Sequence, residues 1–89
     1  MLQATVGTPQ SNGGPLDDWV TDTAAALGLP APSTDDTRAL LELVREVAHG
    51  VCRPAGAVAA YLVGVAVGQG TDADTAHAVV RTLVPEQAR

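Results

Sequence analysis

The chain has no phenylalanine, one cysteine and only two aromatic side chains, Trp19 and Tyr61. Lysine and isoleucine are missing too, which reads as a base-composition bias of the genome rather than a functional signal. Each shortage excludes something. A lone Cys52 allows no internal disulfide and gives no metal-site spacing, so it reads as a structural thiol in a cytoplasmic protein. Ten acids against five arginines leave a net charge of −5. That balance argues against nucleic acid as a partner, because phosphate binding draws on a basic surface. It argues equally against docking on anionic lipid. The longest uncharged apolar run, Pro54 to Gly68, has about 15 residues. A bilayer core needs roughly 20, so no membrane span is expected, and Gly64-x-x-x-Gly68 reads as helix packing in water. Met1 to Gly14 show no basic segment followed by an apolar run, so no signal peptide is expected.

What is present is Val, Leu and Ala, which suit close helix packing. A chain of 89 residues makes one domain. At this size folding buries only about 60–65 % of the unfolded surface, so the core is marginal and a partner subunit would help.

The run after Arg53 is the stretch the rest is organised around. Pro54 suits the first position of a helix and Gly68 or Gly70 its end. Gly56, Ala60, Gly64 and Gly68 recur every four residues and lay a groove of small side chains along one side, while Val58, Tyr61, Leu62 and Val65 project from the other. A helix apolar all round is expected to be covered by its neighbours, as a buried hub.

Met1 to Gly14 have no periodicity and read as a flexible tail. Pro15 opens a first helix to about Leu27, with Leu16, Trp19, Val20, Thr23 and Leu27 on one face and Asp17 and Asp18 at the positive end of its dipole. Gly28 stops it, and Leu29 to Pro32 is a stiff linker. Ser33 or Thr34 caps a second helix from about Asp35 to His49. Leu40, Val44, Val47 and Val51 form its core stripe, widened by Leu41, Leu43 and Ala48; Arg38, Glu42, Arg45 and His49 line the opposite face. After the apolar helix, Gln69-Gly70 turns, Thr71 caps the last helix, and Pro85 ends it before a polar tail at Glu86 to Arg89. The expected fold is all-α: a four-helix bundle or orthogonal array over 15–85.

The best place for chemistry is the corner His49-Gly50-Val51-Cys52-Arg53-Pro54. Gly50 allows a sharp turn there. Arginine beside a helix N-terminus is a recipe for an anion site, with Arg45 and His49 as further donors. Alternatively Arg53 pairs with Glu46 or Asp18 and the corner is a structural clamp. Cys52 beside Arg53 has the setting of an activated thiol, but no motif supplies a general base, and it reads as a packed or inert thiol. His77 sits on an apolar face as a core or interface residue. No phosphate-cradling loop, nucleophile elbow or metal cluster is present, so an enzyme working alone is not expected.

Three pieces carry a resemblance: Leu16-Asp17-Asp18-Trp19 opening a helix, Leu27-Gly28-Leu29 closing it, and Val47 to Ala55 with its His49-Gly50-Val51-x-Arg53-Pro54 run. Over roughly Leu16 to Leu83 the chain resembles a small bacterial domain of unknown function, found free-standing or fused behind molybdenum cofactor guanylyltransferase. The nucleotide-transfer chemistry belongs to the other domain, so no catalytic residue carries over. The resemblance implies an accessory role in making, holding or inserting the cofactor, with the guanylyltransferase or a molybdoenzyme such as formate dehydrogenase as partner. His49 and Arg53 would then touch a phosphate of molybdopterin or a guanine nucleotide, held transiently, or a partner protein. The alternative is a homodimerisation or docking domain with no small-molecule ligand.

Overall fold

A computed structural model describes residues 14–85. The tails expected at 1–14 and 86–89 lie outside the described residues, Gly14 excepted. Among the described residues there are four α-helices and no strand: α1 Pro15–Ala26, α2 Thr34–Gly50, α3 Arg53–Gly68 and α4 Ala73–Thr82. The chain divides into a unit ending at Thr37 and a unit from Arg38 onward, the boundary falling inside the first turn and a half of α2.

In the first unit, α1 starts with Pro15, whose absent N–H costs nothing there. It ends as the glycine signal requires. Gly28 has φ +72, its N–H bonds Ala25 O at 3.0 Å, and the Leu29 N–H bonds Ala24 O at 2.9 Å. This pair of bonds occupies carbonyls that the helix end leaves open. The covered side differs from the expected one. Ala24 is buried and Asp17, Val20 and Thr23 are partly buried, whereas Leu16, Trp19 and Leu27 are exposed. On the covered side the Thr34 hydroxyl donates to Asp17 Oδ2 at 2.7 Å. Ser33 caps α2 reciprocally. Its Oγ accepts from the Asp36 N–H at 3.0 Å, and its own N–H reaches Asp36 Oδ2 at 3.4 Å.

The second unit holds the main core. Leu43 and Val47 of α2, Ala59 and Val63 of α3, and Ala76 of α4 are buried together, with Leu40, Ala55, Ala66, Val80 and Val84 packed at the edge. Leu43 is fully buried. The polar face of α2 falls where its periodicity puts it, with Arg38, Glu42, Arg45 and His49 exposed. Gly56 marks the closest approach of α3 to α2: a Cβ added there would sit 2.9 Å from Val44 O and 3.0 Å from Val44 Cγ1.

The buried hub is corrected. α3 buries Gly56, Ala59 and Val63, but Val58 is 55 %, Tyr61 70 % and Leu62 55 % exposed. The expected groove of small residues is buried at Gly56 and partly at Ala60; nothing lies within 4 Å of a Cβ built on Gly64 or Gly68. Packing follows Gly56, Ala59, Val63 and Ala66 at steps of three and four instead.

The α3–α4 link also departs from expectation. Gly70, with φ +107, closes α3 through Gly70 N–Val67 O at 3.0 Å and Thr71 N–Ala66 O at 2.9 Å. Thr71 is thus committed to the end of α3, and Asp72 caps α4, its carboxylate accepting from the Thr75 N–H at 3.2 Å.

Candidate functional site

The corner between α2 and α3 is built by a short, fully exposed link. α2 runs through Gly50, which keeps a helical backbone, so the chain turns at Val51 and Cys52 rather than at the glycine. The Val51 N–H bonds Val47 O at 2.8 Å. Cys52 is extended, with φ −169 and ψ 162, and precedes α3 without a side-chain cap. Its carbonyl accepts from the Ala55 N–H at 3.0 Å. Arg53 is the first residue of α3 and Pro54 the second, so the arginine stands on the first turn rather than ahead of it.

Arg45, His49, Cys52, Arg53 and Pro54 are all exposed, and Gly50 is partly so. Among the described residues no hydrogen bond or ion pair joins Arg45, His49 and Arg53. Among the described residues no ion pair joins Arg53 to Glu46. Glu46 pairs instead with Arg81 of α4, Nε to Oε1 at 2.8 Å and a second guanidinium nitrogen to Oε2 at 3.4 Å. The hydrogen bond to Glu46 raises the Arg81 pKa; burial opposes it, and the charges of Glu46 and Glu42 add lesser upward effects. The corner therefore presents two guanidinium groups and an imidazole to solvent, able to meet an anion that arrives on a partner. No buried polar side chain lies among the described residues, and they hold no cluster of three metal-ligating side chains. His77 is partly buried on α4.

Sequence reasoning missed a shallow apolar depression of about 290 Å³ between α3 and α4, lined by Leu62, Val63, Ala66, Thr71, Ala76, Val79 and Val80. Its signal was available: an α4 of ten residues with alanine at 73, 76 and 78 is too slight to fill the space beside α3.

Residues 11–89 match the family described as Domain of unknown function (DUF6457). The chain belongs to that family. No curated protein and no solved structure gives a significant match. In this DUF6457 chain none of the described helices is long and apolar enough to cross a membrane. Its two aromatic residues both stand at the surface, Trp19 65 % and Tyr61 70 % exposed.

Proposed function

We propose that the chain is a non-catalytic accessory module that docks on a protein of molybdenum cofactor guanylylation or insertion, the guanylyltransferase itself or a molybdoenzyme of the formate dehydrogenase type. One observation carries the docking part: Trp19 lies 65 % exposed on α1, with Leu16 and Leu27 also exposed on that helix. A tryptophan left in water is a ready interface anchor, since it brings large apolar area at low entropic cost. Asp22, one turn on from Trp19, and Asp18 are exposed as well. The complementary surface is an apolar pocket with a basic rim. The pathway part is supported by the resemblance over Leu16 to Leu83. In this reading Arg45, His49 and Arg53 meet a phosphate of molybdopterin or of a guanine nucleotide carried by the partner, close to Gly50 and Pro54.

The test is an amide NMR titration of the isotope-labelled chain with purified guanylyltransferase, then with GTP–Mg²⁺ and molybdopterin alone. Loss of signal centred on Leu16 to Leu27, removed by Trp19→Ala, is the expected result. Shifts at His49 to Ala55 with the small ligands would add an anion-binding role. A spectrum unmoved by the enzyme and by a formate dehydrogenase-type acceptor sinks the pathway reading.

A further inference from the structure

α3 carries an exposed apolar face of its own. It runs Pro54, Ala57, Val58, Tyr61, Gly64, Val65 and Gly68, at steps of three and four, and no charge interrupts it. We propose that a second copy of this chain covers it, α3 packing antiparallel on α3 of the partner about a two-fold axis at Tyr61.

Two observations single out a second copy. The first is volume. An antiparallel pairing centred on Tyr61 sets Val58 against the partner's Gly64, Val65 against the partner's Ala57, and Pro54 against the partner's Gly68. Each larger side chain meets a small one, which is the self-complementarity a two-fold interface demands. Gly64 and Gly68 are open, with nothing within 4 Å of an added Cβ, so these hollows are not used inside one chain. The two Tyr61 rings, each 70 % exposed, meet side by side at the axis in an offset stack.

The second is charge. The chain carries −5, and two copies repel each other over most contacts. Pro54 to Thr71 hold no charged side chain, so α3 is where two copies meet without that penalty.

Area sets the strength of the pairing. On this face Val58, Tyr61 and Val65 are 55, 70 and 37 % exposed. At about 100 Å² per aliphatic side chain and 200 Å² per tyrosine, they supply roughly 230 Å² per copy before the small residues between them are counted. Two copies then bury several hundred Å², below the ~1,000 Å² of a stable specific interface. The dimer is accordingly weak and exchanges with monomer.

The inference does not depend on the molybdenum pathway, and its test involves no other protein. Sedimentation equilibrium of the full chain, with Cys52→Ser to remove any adventitious disulfide, should show a concentration-dependent monomer–dimer equilibrium. Gly64→Leu fills the hollow that takes Val58 of the partner and should weaken dimerisation by at least ~100-fold, as overpacking at a two-fold contact acts twice. Inside one chain the new Cβ meets nothing within 4 Å and the position is exposed, so far-UV circular dichroism should show helix content retained or raised. Val65→Asp should do the same by burying an unpaired carboxylate against the partner's Ala57. A strict monomer at millimolar concentration overturns the proposal. So does a dimer that survives both substitutions.

Discussion

Gly56 and Gly64 lie two turns apart on α3, and the structure assigns opposite consequences to adding one methyl at each. Glycine to alanine in a helix interior gains about 0.8–1.0 kcal/mol of propensity. It also lowers the entropy of the unfolded chain, equally at both sites, so that effect cancels in the comparison. At Gly64 the new Cβ meets nothing within 4 Å, and the gain is kept: about 0.5–1 kcal/mol of stabilisation. At Gly56 it meets Val44 O at 2.9 Å, Val44 Cγ1 at 3.0 Å and Ala48 Cβ at 3.3 Å. The first of these is backbone held in the α2 hydrogen-bond ladder, so relief requires moving one helix off another. Overpacking of that kind costs about 1–3 kcal/mol. Net of propensity, Gly56→Ala should destabilise by about 1 kcal/mol or more, and the two variants should differ by about 2 kcal/mol. In a domain of this size 1 kcal/mol moves Tm by about 4–8 °C, so the separation is roughly 8–16 °C. The assay is thermal unfolding followed by far-UV circular dichroism, at a dilution where Tm no longer depends on protein concentration, which removes any contribution from a second copy. Gly56→Ala as stable as Gly64→Ala would refute the close approach of α2 and α3.

Three further perturbations test the core, a cap and the ion pair. Leu43→Ala empties the centre of the α2–α3–α4 core and should cost about 2–5 kcal/mol, a large share of a small domain's stability, measured by urea unfolding. Asp72→Ala removes the acceptor for the Thr75 N–H and should lose about 1 kcal/mol, whereas Thr71→Ala, whose side chain caps nothing, should stay within about 0.5 kcal/mol. Arg81→Ala breaks the pair with Glu46, whose side chains are 42 % and 33 % exposed, so the loss should be under about 1 kcal/mol and should shrink further in 1 M salt.

Helix number and helix ends were legible because they depend on backbone chemistry written into single residues. Pro15 starts α1, and Gly28 and Gly70 close α1 and α3 by taking a left-handed conformation. Facing was legible only where polar residues mark the wet side. In α2 the charged positions Arg38, Glu42, Arg45 and His49 leave one side for the core, and Leu43 and Val47 are buried there. In α3 nothing polar breaks the symmetry, and the residues that could have been covered outnumber those that are. The cap of α4 was misplaced for a related reason: Thr71 and Asp72 are both good caps, and the choice is made by the end of the preceding helix, which takes the Thr71 N–H. The expected anion corner is exposed, and whether it binds is decided by what meets it.

The glycine stripe shows why spacing alone underdetermines α3. Gly56, Gly64 and Gly68 follow one repeat of four and look equivalent in the sequence. A step of four advances 400° rather than a full turn of 360°, so such a stripe winds round the helix by about 40° at each repeat. Over the twelve residues from Gly56 to Gly68 it drifts by roughly a third of a turn, from the α2 side to the outward side. One repeat can therefore serve two surfaces. Gly56 is pressed against Val44, while Gly64 and Gly68 stand open on the outward face beside Tyr61 and Val65. The same arithmetic makes α3 both a core element and a bare apolar face, which is the property a second helix would exploit.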